Sequence, residues 1–193
     1  MPMLEQDEQK KENVTEKKEK NTMREMINLI LYIGVVIIAA ILLNKFVIQK
    51  VQVDGVSMRP SLENEEQLIL EKVSYYFTDP DRYDIVVFNP PGYTKKTLYI
   101  KRIIGVPGDT VQVKDGCVYI NDELLDESYG LEEMYDAGLA SDPIVVGEDQ
   151  YFVLGDNRNN SEDSRDLGLI SKDRIVGKAV LRLWPLNKFG LLK

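Results

Sequence analysis

The sequence contains no histidine and a single cysteine, Cys117. Without histidine, the side chain that most often serves as a general base near neutral pH is missing. A nucleophilic serine would then have to be activated by a lysine, a carboxylate or a terminal amine. Zinc would have to be held almost entirely by carboxylates, outside its usual ligand sets. One cysteine excludes an intramolecular disulfide and a multi-cysteine metal site. A basic face is also lacking: the formal net charge is −8, and basic residues alternate with acids rather than forming one run. That argues against nucleic acid as a partner. No internal repeat is present.

What the chain does have is a long apolar run. INLILYIGVVIIAAILL, residues 27–43, contains Asn28 as its one strongly polar member. Continued to Ile48, it reaches the length of about 20 residues that a bilayer requires. The residues before it, including KKENVTEKKEKNTMRE, are mostly charged and read as a solvated, disordered tail. A buried core helix would be unusually uniform in its hydrophobicity. A cleavable leader would be preceded by a shorter tail and followed by an A-x-A site. A retained transmembrane anchor fits best. Lys10, Lys11, Lys17, Lys18, Lys20 and Arg24 precede the run, against Lys45, Lys50 and Arg59 after it. This excess predicts a cytoplasmic N-terminus and an extracytoplasmic body. The expected division is a tail over 1–25, an anchor over 26–48 and a β-rich domain over 49–193.

Beyond residue 50 the apolar pattern shortens. QLILEKV, DIVVFN, LYIKRIIGV, TVQVK, CVYIND, QYFVLGD and RIVGKAVLRLW are rich in β-branched residues and bounded by Gly, Pro, Asp or Asn. Asp115-Gly116 between two such runs predicts a tight hairpin with positive φ at both positions. The expected fold is mainly β, a folded antiparallel sheet or partial barrel behind one N-terminal transmembrane helix. The acidic stretch Glu123 to Pro143 is less strand-like and reads as a short helix or an exposed insertion. Cys117 falls in a strand after the hairpin turn and carries no assigned role.

VDGVSMRPSL places Ser57 among apolar residues, with Gly55 two places before it. It follows Ile48 so closely that the intervening chain spans at most roughly 30 Å, which predicts a position near the membrane surface. Val51, Val53, Val56 and Met58 around it either meet lipid or pack in the core. A lysine can act as base for such a serine only where burial lowers its pKa. Lys101 in TLYIKRIIGVPGD qualifies; its neighbour Arg102 stays protonated and does not. Lys72 and Lys178 also lie in apolar strands, and periodicity does not choose among the three. A third segment, GDNRNNSEDSRDLG, is too polar for a strand. It reads as a loop held by its own side chains, or as a polar shell that orients a buried lysine; the spacing of an EF-hand calcium loop is absent.

GVSMRPSL, YIKRIIGVPGD and GDNRNNSEDSR, in this order behind one N-terminal span, resemble the type I signal peptidases, most closely the single-span Gram-positive kind. The resemblance implies a membrane-bound serine endopeptidase that removes signal peptides from exported preproteins, cutting after small residues at the first and third positions before the bond. It implies Ser57 as nucleophile and Lys101 as general base. Ser161 would be the hydroxyl that orients the lysine, with Asp163, Arg165 and Asp156 as supporting residues. Some family members have a serine at the position of Gly55 that contributes to the oxyanion hole; here the backbone would carry that role. No cofactor or metal is implied, and the partners are preproteins and the bilayer. Two other readings of the chain compete: a catalytically silent tethered β domain, and a self-cleaving regulatory protease with a related Ser–Lys pair. Penicillin-recognising enzymes are disfavoured because no Ser-x-x-Lys surrounds Ser57.

Overall fold

The computed structural model describes residues 21–42, 47–130 and 132–192. Two units divide near residue 45. In the first, helix α1 (Asn21–Leu42) is long and apolar enough to cross a membrane, the one such helix among the described residues. At 1.5 Å per residue it extends roughly 33 Å, close to the thickness of a hydrocarbon core. It starts earlier than the apolar run, and Ile48 is already the first residue of a strand rather than the last of a span. Most of the charged tail lies outside the described residues.

The second unit is built on an antiparallel half-barrel. Its strands are β1 (Ile48–Gln52), β2 (Gln67–Glu71), β3 (Ile85–Phe88), β4 (Tyr99–Gly105), β9 (Gln150–Leu154), β10 (Ile170–Ser171), β11 (Ile175–Trp184) and β12 (Gly190–Leu191). The order is β1-β2-β11-β3-β4-β9-β10, with β12 on β11. A smaller sheet of β5 (Thr110–Lys114), β6 (Cys117–Ile120), β7 (Glu123–Leu124) and β8 (Ile144–Val145) runs β7-β6-β5-β8. Every strand run expected from the sequence forms. The hairpin joins Lys114 to Cys117, with φ 52° at Asp115 and 74° at Gly116. The short strands β7, β8, β10 and β12 escape sequence reading because two residues carry no periodicity.

Period-2 alternation explains the layers. All four residues of β3 are buried: Ile85 and Val87 join a core with Val53, Met58, Leu62, Leu68 and Leu70, whereas Val86 and Phe88 join Ile103, Tyr151 and Val153. Val53 and Met58 thus pack in the core, while Val56 is exposed. A third core ties the small sheet to β4 and β9 through Val111, Val118, Ile104 and Phe152. The acidic stretch contributes Met134 and Ala140 to it. That stretch holds β7 and one short 3-10 helix over Gly138–Ser141, the rest of its described residues being irregular.

Candidate active site

Ser57 sits on the turn that leaves the end of β1. The ladder is prolonged by Val53 N–H to the Glu66 carbonyl at 2.9 Å. The chain then reverses at Gly55, where φ is 99° and the N–H donates to Asn64 Oδ1 at 2.8 Å. Such a φ favours glycine. Met58, 2 % exposed, anchors the turn from below. From the loop after β9, the Asn157 N–H donates to the Ser57 carbonyl at 3.0 Å and Asn157 Nδ2 to the Val56 carbonyl at 3.1 Å. The serine is half-buried. Among the described residues its own N–H has no intramolecular acceptor.

Lys101 reaches it from β4, with Nζ 2.8 Å from Ser57 Oγ. The lysine is 4 % exposed and lies across the ladder from the fully buried Val86. Burial pushes its pKa down to about 8. The nearby carboxylates of Asp163, Glu162 and Asp156 pull it up, and Arg165 lowers it further. Burial prevails because the ammonium has lost its water. Lys178, one of the alternatives open in the sequence, lies within β11 and is instead paired with Asp84. Lys72 follows the end of β2 and is half-exposed. Of the three, Lys101 alone bonds Ser57.

The remaining candidates form two buried ion pairs around the lysine. Arg102 holds Asp156 through two bonds, Nε to Oδ1 at 3.0 Å and Nη2 to Oδ2 at 2.8 Å, and also donates to Ser61 Oγ at 3.3 Å. Tyr129, from the acidic strap, stacks on its guanidinium at 3.6 Å. Asp163 caps the short helix α2 (Ser164–Leu167) and binds Arg165 through 2.9 and 3.0 Å contacts. It also accepts the Gly155 N–H at 3.1 Å. The Ser161 hydroxyl is buried beside Gly155 and has no hydrogen-bond partner; the bond to Lys101 implied by the resemblance is not formed in this structure.

Sequence reasoning missed several contributors. Asn157 pins the turn that carries Ser57, although only its place in GDNRNNSEDSR marks it. Tyr99 shares a strand face with Lys101, and its ring centroid lies 5.3 Å from Nζ, a neighbour the alternation contained. Arg158 and Glu127 form a further buried pair that ties the acidic strap to the loop after β9. That link joins residues 31 apart, and no local pattern announces it.

An open groove of about 740 Å³ runs past the Ser57–Lys101 pair. One wall is Gln49–Met58; the opposite wall is Lys96–Ile100, with Asn160 and Glu162. β1 is an edge strand, and β4 pairs with β9 only from Arg102 onward, so both walls present unpaired backbone to the groove. Such edges can take an extended peptide by strand addition. Among the described residues, no cluster of three or more acidic or thiol side chains is arranged to hold a metal ion.

Known proteins match this arrangement. The family described as signal peptidase, peptidase S26, covers residues 26–184. A Synechocystis sp. protein described as "Probable signal peptidase I-2" is 44% identical over 161 residues, covering 81% of this chain and 72% of that protein. Signal peptidase I P of Bacillus subtilis subsp. natto is 42% identical over 179 residues, covering 89% and 96%. A crystal structure of a signal peptidase I from Enterococcus faecalis is 34% identical, with a TM-score of 0.45, covering 52% of this chain and 97% of that one. With a family match spanning residues 26–184 and relatives about 40% identical over most of the chain, the chain belongs to the signal peptidases of peptidase family S26.

Proposed function

We propose that the protein is a membrane-anchored endopeptidase that removes signal peptides from exported preproteins by a Ser57/Lys101 dyad. The observation that carries this is the 2.8 Å contact between a buried lysine and a half-buried serine at the floor of an open groove. An extended substrate segment lies between the two unpaired strand edges, its scissile carbonyl over Ser57. Neutral Lys101 accepts the Ser57 proton as Oγ attacks. The developing oxyanion is met by backbone donors, including the Ser57 N–H, since Gly55 offers no hydroxyl. Lys101 then gives its proton to the leaving amine and activates the water that releases the acyl-enzyme. Asp163–Arg165 and Arg102–Asp156 hold the loops on either side, and the role of the Ser161 hydroxyl in orienting the lysine is carried from the family.

Helix α1 is the anchor in this reading, with the charged N-terminus cytoplasmic and the β domain outside the membrane. The preference for small residues at the first and third positions before the cut is carried from the family. The test is to incubate the full chain in detergent with a preprotein bearing an A-x-A site and map the products by mass spectrometry. One cut after the second alanine, lost in Ser57→Ala and in Lys101→Ala, is expected. A cut that survives both changes, or none from the unaltered chain, would overturn the assignment and favour a tethered binding domain.

A further inference from the structure

The carboxylate of Glu162 projects from the loop between Ser161 and Asp163 onto the groove wall and is exposed. Two tyrosine hydroxyls hold it. Tyr93 OH donates to both oxygens, at 3.0 and 3.2 Å, and Tyr99 OH donates to Oε2 at 2.5 Å. The two rings lie against each other with centroids 5.6 Å apart, and Tyr99 meets Phe88 edge-on at 6.2 Å. These contacts join residues 69 and 63 apart in sequence, so a surface loop is clamped to the open end of β4. Tyr99 is also the ring that faces Lys101 Nζ. One carboxylate thus fixes the aromatic wall of the lysine's chamber.

Building on the peptidase reading, we propose that Glu162 is a positioning residue: held by Tyr93 and Tyr99, it fixes the Tyr99 ring beside Lys101 and raises, by its own charge, the pH above which the lysine is a base. Other groups face that lysine too. Asp163, Asp156 and Arg165 come from the loop after β9 and from α2, and Ser57 from the turn after β1. The two aspartates are each neutralised by a buried guanidinium. Glu162 is bound by neutral hydroxyls instead, so among the described residues its negative charge has no cation at contact distance. Lys50, Asp54 and Lys96 line the groove as well. A peptide in the groove would exclude water from the Glu162 wall and strengthen its field on Lys101.

Glu162→Gln keeps an oxygen for the tyrosine hydroxyls and removes the charge. The titration of Lys101 is read directly by NMR of lysine labelled with ¹³C at Cε in the full detergent-solubilised chain, assigned with Lys101→Arg. The same samples are assayed across pH for preprotein cleavage. In Glu162→Gln the Lys101 midpoint and the acidic limb of kcat/KM both move down by roughly half a pH unit, the scale of one partly screened charge nearby. Neutralising the remote, exposed Glu123 in Glu123→Gln leaves both unmoved. A midpoint unchanged or raised in Glu162→Gln, with cleavage intact, overturns this inference and leaves the peptidase reading standing. A lowered midpoint in a protein that cleaves no preprotein upholds the charge coupling and removes the peptidase reading.

Discussion

Gly155 and Ser161 are packed so closely that a Cβ on the glycine would overlap the serine hydroxyl and come within 2.6 Å of the Ser57 carbonyl oxygen. A residue at the start of the polar loop therefore sets the distance between that loop and the turn that carries Ser57. Its N–H is spent on Asp163 and its carbonyl accepts from Arg158 Nε at 3.2 Å, so it has no slack in which to move.

Gly155→Ala is expected to destabilise the protein by about 1–3 kcal/mol, the usual cost of overpacking. The larger effect is on catalysis. Displacing the Ser57 carbonyl moves the serine relative to Lys101, and a shift of about 1 Å can cost on the order of 100-fold in rate. Thermal melts and kcat/KM on a preprotein substrate check both numbers; a variant that is fully active would show that the two loops move independently.

The pH dependence follows from Lys101. Its pKa is pushed down to about 8 by burial, and in the proposed reaction the neutral amine is the active form. Below that pH, kcat/KM is expected to fall about tenfold per unit as the ammonium accumulates. The limb should disappear from the rate of a hydroxylamine-rescued or base-independent step, and a limb centred near 6 in the intact enzyme would point to a carboxylate as base. Histidine cannot produce it, since the chain has none.

How much of this was legible in the sequence depends on the range of each interaction. The strands were readable because alternation and turn residues act locally: DIVVFN became β3 and Asp115-Gly116 became the expected hairpin. Lys101 and Arg102 were separable as base and non-base by their chemistry. Choosing Lys101 over Lys72 and Lys178 was not possible from periodicity, because the deciding contact with Ser57 spans 44 residues. The family motifs supplied that choice. The acidic stretch Glu123 to Pro143 reads from sequence as a short helix or an exposed insertion because its attachments are long-range: Tyr129 on Arg102, Glu127 on Arg158. Likewise nothing local revealed that Glu162 would bind Tyr93 and Tyr99.

Lys101 should also be a stability liability. Its pKa falls from an ordinary 10.5 to about 8 on folding. The unfolded chain thus binds more protons between those two values, and stability rises with pH across that window. Below about 8 both states carry the proton and the folded protein bears the whole cost; above 10.5 neither does. Lys101→Met, inactive by design, is expected to be more stable than the unaltered chain at pH 7, by up to about 3 kcal/mol. The gain should shrink from pH 8 upward and vanish above pH 10.5. Chemical denaturation at a series of pH values measures it. A variant less stable at pH 7 would mean that the bond to Ser57 outweighs desolvation.

The Arg102–Asp156 pair makes the opposite case, since there both charges are buried and each satisfies the other. Their side chains are 0% and 1% exposed, and the guanidinium also binds the Tyr83 carbonyl at 3.0 Å and Ser61 Oγ. Arg102→Met leaves a carboxylate in a site without water and is expected to cost about 3–5 kcal/mol. Asp156→Asn leaves a buried guanidinium with one fewer anionic partner and is also destabilising. Because each single change strands the other charge, the double variant Arg102→Met/Asp156→Asn should lose clearly less than the sum of the two. The shortfall, read from denaturation midpoints, is the coupling across the pair. Ser61 lies on the turn that carries Ser57, and Asp156 precedes the Asn157 that pins it, so the double variant should recover stability without recovering rate. Additive losses would instead mean that Arg102 and Asp156 act on separate parts of the site.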